Sequence, residues 1–244
     1  MKTIYLALLL FCSSVCMAQT MEVNKDIQVK KLSNKAYAYT AWSEMGSWGR
    51  VGSNGLIVVD KGKAFLIDTP VTEEETMALN RWIKSTLKAK IVRFVPGHWH
   101  GDCVGGLDYL NKQGVKTYAG KRTNKILKEK GLPQAKCSLA DSVTLKLNNM
   151  EIQCYYLGGG HSTDNIVVWI PSEKILFGGC MIKDAKASSL GNTADAAPLK
   201  EWLKTVCAVE ARFPDAKIVI SGHGEVGGLE LVKHTQDILI KNQN

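Results

Sequence analysis

The sequence predicts an α/β protein in which two β-sheets pack face to face and helices cover their outer faces. Strand patterns with alternating apolar residues precede amphipathic helix patterns, and this order occurs twice along the chain. No low-complexity linker separates the two halves. Because every sheet and every helix must bury an apolar face, two stacked sheets between helices would bury all of them. We therefore expect residues 19–244 to form a single domain built from two similar halves.

The individual elements follow from the period of the apolar residues and from the turn residues between them. Predicted strands cover residues 26–32, 36–42, 56–59, 64–67, 91–95, 115–118, 142–147, 150–157, 165–170, 174–177 and 218–221. Predicted helices cover residues 72–87, 105–112, 122–130, 198–206 and 229–240. A capping box, in which Thr72 and Glu75 satisfy each other's backbone N–H groups, marks the start of the first helix. A loop with glycines and a tryptophan, residues 43–53, joins the second and third strands.

Composition and charge favour an ordinary globular protein with no nucleic-acid partner. The 244 residues are 45% hydrophobic and 22% charged, which is enough apolar material for one large core. The formal net charge is +8, but the lysines are scattered and are not clustered with aromatic residues. We interpret this excess of positive charge as a solvated surface.

Residues 1–18 are expected to be a secretory signal peptide that is removed from the mature protein. Lys2 supplies a positive start, residues 4–11 form a short apolar core, and Ala18 ends a run of small residues. The apolar core is too short to span a bilayer, and the rest of the chain contains no longer apolar run. The mature protein is therefore expected in the periplasm, without a membrane segment.

The segment that organises the rest of the chain follows the buried strand at residues 91–95. A proline and a glycine end that strand, and His98, His100 and Asp102 then occupy every second position. Alternate residues of an extended segment point the same way, so the two imidazoles can bind one metal ion. Imidazole nitrogen and carboxylate oxygen are standard zinc ligands. A polar loop whose histidines only form hydrogen bonds is the simpler alternative, but such loops seldom space three ligand-type side chains in this way.

Three further ligand-type residues stand beside glycines at the ends of predicted strands: His161, Cys180 and His223. Glycine allows the backbone to turn sharply and bring the next side chain over a sheet edge. Their wide separation excludes a zinc finger, whose ligands lie close in sequence, and requires a folded protein to assemble the site. Such assembled metal sites are usually catalytic.

Each of these residues alone has a simpler interpretation. A lone His161 or His223 is more often a hydrogen-bonded loop residue, and Cys180 could be a small buried hydrophobic residue. Cys207 is expected to be a small buried hydrophobic residue on the inner side of its helix. We interpret His234 as a structural or surface residue. Five cysteines remain in the mature chain, and an odd number argues against a framework made only of disulfides. Only the combination of six ligand-type residues is specific.

With this combination, the chain resembles the zinc-dependent metallo-β-lactamases (class B), in the subclass that has a three-histidine site and an Asp-Cys-His site. The resemblance extends from about residue 26 to residue 240. The chain is similar in particular to the Bacteroides-type carbapenem-hydrolysing enzymes. These share Cys103 after the metal motif and the Gly-Gly-Cys-Met run that contains Cys180. The resemblance implies an αββα sandwich, a site at the edge of the two sheets, and two zinc ions per subunit.

The resemblance also implies a role for each ligand-type residue. One zinc ion would bind His98, His100 and His161. The other would bind Asp102, Cys180 and His223. Asp68 matches the carboxylate that steadies the metal loop, a role compatible with simple capping of the turn before Pro70.

Three further residues match positions that bind the substrate in this family. Lys183 corresponds to the residue that pairs with the substrate carboxylate, and Asn192 to the one that helps polarise the lactam carbonyl. Trp48 lies on a hairpin that would cover the metals and close on substrate. Taken alone, these would be a solvated lysine, a turn residue and a stray surface aromatic. Zinc lowers the pKa of bound water toward about 7, and the resulting hydroxide would attack the β-lactam amide while Asn192 stabilises the oxyanion.

Two other functions compete with this interpretation. The wider fold superfamily includes thioester hydrolases, lactonases and RNA-processing nucleases, which place a histidine where Cys103 stands and an aspartate where Cys180 stands. A non-catalytic zinc-binding protein of the periplasm would share the ligands but would not need Lys183 and Asn192. We expect a monomeric β-lactamase. The sequence leaves open the preference among penicillins, cephalosporins and carbapenems, the zinc occupancy, and the disulfide state of the four cysteines Cys103, Cys137, Cys154 and Cys207.

Overall fold

The computed structural model describes residues 20–243, and the signal peptide predicted at residues 1–18 lies outside them. Within the described residues, two mixed sheets are flanked by six α-helices. The strands are β1 (Thr20–Asn24), β2 (Ile27–Lys31), β3 (Ala36–Glu44), β4 (Arg50–Asp60), β5 (Lys63–Ile67), β6 (Lys90–Val95), β7 (Lys116–Gly120), β8 (Cys137–Leu139), β9 (Ser142–Leu147), β10 (Met150–Tyr155), β11 (Val167–Ile170), β12 (Ile175–Gly179) and β13 (Ile218–Ser221). The helices are α1 (Glu73–Thr86), α2 (Gly101–Val104), α3 (Leu107–Lys112), α4 (Lys121–Glu129), α5 (Leu199–Arg212) and α6 (Glu230–Lys241).

The first sheet contains β1 to β8 in sequence order. Pairing is antiparallel from β1 to β5, where short turns connect the strands, and parallel from β5 to β8. The change follows from α1, because a helix that crosses from one end of the sheet to the other returns the chain in the same direction. The predicted capping box at Thr72 and Glu75 is confirmed at the start of α1.

The second sheet has the order β13-β12-β11-β10-β9. Its strands are antiparallel except for β12 and β13, which run parallel because α5 connects their ends. The carboxyl ends of β12 and β13 therefore lie side by side at one edge of the sheet. The loops that leave these two ends carry Cys180 and His223.

The core has three layers of apolar side chains, which confirms the predicted αββα sandwich. In β5, Phe65 faces the space between the two sheets, and Leu66 faces the helices α1 and α3. In β12, Phe177 enters the same central layer, and Leu176 packs against α5 and α6. Adjacent residues of a strand point to opposite faces, so a strand buried on both faces is apolar throughout. Each such fully buried side chain contributes about 1.5–3 kcal/mol from the transfer of apolar surface out of water.

Several local predictions differ from the structure. The predicted loop at residues 43–53 is shorter, because β3 continues to Glu44 and β4 begins at Arg50. The predicted helix at residues 105–112 corresponds to α3, which begins at Leu107, and the short helix α2 and the short strands β1 and β8 were not predicted. Cys207 was predicted on the inner side of its helix, but it is exposed on α5 because Thr205, Val206 and Val209 form the buried face.

None of the helices within residues 20–243 combines the length and the apolar character needed to cross a membrane. The five cysteines in this part of the chain are free thiols.

Candidate metal centre

Loops from both sheets meet at the edge where β6, β12 and β13 end. The loop after β6 carries His98 and His100, helix α2 at the end of that loop carries Asp102, and the loop between β10 and β11 carries His161. The loops after β12 and β13 bring the remaining ligand-type residues. The structure therefore places all six predicted ligand-type residues at one site, although they come from four separate segments of the chain.

The carboxylate of Asp68 fixes the loop after β6. Asp68 lies at the end of β5, is fully buried, and has a positive φ of 60°. One of its oxygens accepts the backbone N–H of Gly97, and the other accepts the Cys103 thiol at 3.1 Å. The sulfur of Cys103 lies 3.1 Å from His98 Nδ1, which leaves His98 Nε2 directed toward the site. This chain of contacts orients the first imidazole of the motif, and Asp68 itself lies beneath the site.

The three histidines form a first group with converging nitrogens. His100 Nδ1 and His161 Nε2 are 3.1 Å apart, and one ligand atom from each of the three rings lies within 4.8 Å of the others. His98 Nε2 is buried and lacks a hydrogen-bond partner among the described residues. A buried nitrogen without a partner costs free energy, and a metal cation would satisfy it. The group therefore fits a metal ion.

Asp102, Cys180 and His223 form a second, adjoining group. The distances are 3.6 Å between Cys180 Sγ and Asp102 Oδ2, 3.4 Å between Cys180 Sγ and His223 Nε2, and 3.5 Å between His223 Nε2 and Asp102 Oδ2. His223 Nδ1 donates to the carbonyl oxygen of Gly52 at 3.0 Å, which orients Nε2 toward the group. His98 also lies within reach of Asp102 and Cys180, so the two groups are neighbours.

Gly222 allows the second group to form. A Cβ atom at this position would lie 2.4 Å from Cys180 Sγ and 2.5 Å from its backbone nitrogen. Such overlap would displace the thiol from its position beside Asp102 and His223. Glycine before His223 therefore serves the close approach of two backbone segments and needs no positive φ.

The electrostatics of the site favour the ligand forms of Cys180, His98 and His161, whereas Asp102 and His223 share a proton-retaining environment. A hydrogen bond with Cys103 lowers the pKa of the Cys180 thiol against the opposing effect of burial, and His223 and His98 lower it further. Burial lowers the pKa of His98 well below its usual value and that of His161 to about 4. Burial raises the pKa of Asp102 to about 7, assisted by Cys180. Against the opposing effect of burial, Cys180 and Asp102 raise the pKa of His223 to about 9. Neutral imidazole and thiolate are the forms that bind zinc, and this donor set suits that metal.

A cleft of about 390 Å³ opens over the two groups, which is a typical size for a small-molecule site. Its lining residues are Met45, Trp48, Val51, Trp99, His100, Gly101, Asp102, His161, Lys183, Gly191, Asn192 and His223. Trp48, at the tip of the β3–β4 hairpin, is 60% exposed. Lys183 Nζ lies 5.4 Å from the centre of the Trp202 ring, and burial lowers the pKa of the Lys183 ammonium group. Asn192 Oδ1 accepts the backbone N–H of Ala194 at 3.1 Å, which leaves its NH₂ group as the donor.

The structure thus brings Lys183, Asn192 and Trp48 to the cleft that the six ligand-type residues border. His234 lies elsewhere and contacts the carbonyl oxygen of Ala187 at 2.8 Å. Sequence reasoning missed Asp195, whose carboxylate contacts His100 across 95 residues of sequence. Contacts between residues so far apart leave no local pattern that could have revealed them.

Two sheets between helices, with paired metal-binding groups under an open cleft at the sheet edge, define the class of the protein as a metal-dependent hydrolase. Comparisons with known proteins then identify the family. The chain is 48% identical to a type 2 metallo-β-lactamase of Bacteroides fragilis, over 98% of this chain and 96% of that protein. No family model matches the chain.

Comparisons with solved structures identify the same family. The metallo-β-lactamase from Pontibacter korlensis is 38% identical with a TM-score of 0.84, over 88% of this chain and 99% of that one. FIM-1 from Pseudomonas aeruginosa, solved in a mono-zinc form, is 36% identical with a TM-score of 0.83, over 91% of this chain and 99% of that one. The chain belongs to the metallo-β-lactamase family, the zinc-dependent hydrolases of β-lactams.

Proposed function

We propose that this chain hydrolyses penicillins, cephalosporins and carbapenems at the cleft described above, and so gives resistance to these antibiotics. The observation that carries the proposal is the position of two adjoining ligand groups directly under a cleft that also contains Lys183 and Asn192. An arrangement of this kind places a metal-activated water and a donor to the carbonyl on the same substrate.

We assign His98, His100 and His161 to one zinc ion, and Asp102, Cys180 and His223 to a second. The support is the convergence of nitrogens in the first group and the contacts of about 3.5 Å within the second. When bound, zinc supplies Lewis acidity that brings the pKa of a coordinated water toward about 7.

The residues of the chain orient the substrate around this centre. The Lys183 ammonium pairs with the substrate carboxylate, and the Asn192 NH₂ group donates to the lactam carbonyl as negative charge develops on its oxygen. Asp102 borders both the cleft and the second group, so its carboxylate lies among the reacting atoms. Asp68 acts through Gly97 and Cys103, by holding the loop that carries three of the ligands.

One experiment tests both the hydrolysis and its dependence on zinc. The purified protein is mixed with a chromogenic cephalosporin, with and without a zinc chelator. We expect turnover that the chelator abolishes and added zinc restores. Zinc binding without turnover would contradict the proposed hydrolysis, and turnover that resists the chelator would exclude a zinc-dependent reaction.

We further propose that residues 1–18 direct export to the periplasm and that residues 19–244 act as a monomeric domain without a nucleic-acid or membrane partner. The support is the apolar start of the sequence and the fact that one chain supplies every residue assigned to the site. The mass of the periplasmic protein tests the cleavage site, and its elution in gel filtration tests the monomer.

A further inference from the structure

Asp195 contacts His100 at the ring nitrogen that points away from His161. Its Oδ2 atom lies 3.1 Å from His100 Nε2, while Nδ1 of the same ring faces His161 at 3.1 Å. A ring whose Nε2–H donates to a carboxylate has its Nδ1 lone pair available for a cation. Asp195 therefore selects the form of His100 that can bind the metal.

Asp195 lies in the loop that carries Asn192. This loop, residues 190–198, borders the cleft at Gly191 and Asn192. It has a second attachment close to the first metal group, where the backbone N–H of Ala197 donates to the carbonyl oxygen of Gly160 at 2.9 Å. The loop is thus fastened on one side to a ligand, His100, and on the other to the residue that precedes His161.

We propose that Asp195 is a positioning residue that couples metal binding by the first group to the conformation of the loop bearing Asn192. The inference rests on the proposed zinc ligation but not on turnover. A bound cation orients the His100 ring and strengthens its hydrogen bond to Asp195, which holds the loop. The two effects are thermodynamically linked. If metal binding strengthens the contact between His100 and the Asp195 carboxylate by some factor, that contact must strengthen the affinity for the metal by the same factor.

The first test measures zinc affinity by competition with a chromogenic chelator. Asp195→Ala should weaken the tighter zinc site by about 10–100-fold, the usual effect of removing such a partner. Asp195→Asn retains an oxygen that accepts the Nε2–H, so it should lose much less. Asp141→Ala is the matched control, since it removes an exposed ion pair of 2.7 Å with Arg122. Affinity unchanged in Asp195→Ala, or reduced equally in Asp141→Ala, would overturn the proposal.

The second test follows hydrogen exchange of residues 190–198 with and without saturating zinc. In the wild-type protein zinc should slow exchange in this loop. In Asp195→Ala, saturated with zinc at a higher concentration, exchange should stay at the metal-free rate. Equal protection of both proteins, or no zinc effect in the wild type, would refute the coupling. Failure of the wild type to bind zinc would instead refute the proposed function, so the two failures are distinguishable.

Discussion

Cys180 is the single residue on which the second metal group depends most. Its thiol contacts both Asp102 and His223, and its pKa is lowered by the surrounding groups. Thiolate binds zinc far better than a hydroxyl does. We therefore expect Cys180→Ser to bind close to one zinc ion per chain and to turn over more slowly, as measured by metal analysis and by kcat. The control is Cys207→Ser, which changes an exposed thiol on α5 and should retain the wild-type zinc content. Full wild-type activity with one equivalent of zinc would contradict a working two-metal site.

Lys183 is the residue that we propose pairs with the substrate carboxylate. Its charge attracts the carboxylate in both the ground state and the transition state, so its loss should act mostly through KM. Lys183→Ala should cost about 1–3 kcal/mol of affinity for a lost charge-assisted hydrogen bond. Lys183→Met is the informative companion, because it retains a long stem that can pack near Trp202 and removes only the charge. Both variants should raise KM alike in steady-state kinetics. An unchanged KM would place the carboxylate elsewhere.

Among the secondary-structure elements of residues 20–243, the β3–β4 hairpin is the one whose tip lies over the cleft. The tip is short, from residue 45 to residue 49, and contains Gly46 and Gly49 with positive φ and open space around them. Exposed Trp48 and half-buried Met45 are the large apolar side chains of this tip. A tip with so little apolar anchoring should move when free and settle on a bound ligand.

The corresponding prediction concerns Trp48→Ala. The variant should show a higher KM for β-lactams with apolar side chains, because the indole face that covers them is gone, and its zinc content should be unchanged. Tryptophan fluorescence of the wild type should shift on binding an inhibitor, and this shift should shrink in the variant. Trp48→Phe keeps an apolar ring and should retain most of the affinity. Loss of zinc from Trp48→Ala would mean that the hairpin supports the metal centre itself.

At the scale of the whole molecule, the metal centre joins the two sheets. His98, His100 and Asp102 follow a strand of the first sheet, whereas His161, Cys180 and His223 come from loops of the second. A metal that binds only the folded chain stabilises it by about 4 kcal/mol at a thousand times its Kd. That corresponds to a rise in Tm of roughly 8–16 °C for a protein of this size. Calorimetry with zinc and with a chelator should show this difference. His234→Ala, outside the centre, should preserve the difference, and equal Tm values in the wild type would show that the centre does not brace the sheets.

Much of the fold was predictable because its causes are local. The α1 capping box, the apolar faces of the helices, and the alternation in β5 and β12 each depend on residues a few positions apart. A short stretch of sequence is therefore enough to predict them. Predictions failed where a distant partner outweighs the local pattern. Pairing with β3 extends β4 back to Arg50 across residues that resemble a loop, and the packing of α5 turns Cys207 outward.

The ligand types and the kind of chemistry follow from the amino-acid sequence alone, because imidazole, thiolate and carboxylate beside glycines are properties of single residues and their neighbours. Tertiary structure alone decided which of them meet. The distances within the second group, the space that Gly222 leaves for Cys180, and the contact of Asp195 with His100 each join segments tens of residues apart. Such contacts depend on the relative position of two sheets and their loops, which is set by the packing of the whole core and by no short stretch of sequence.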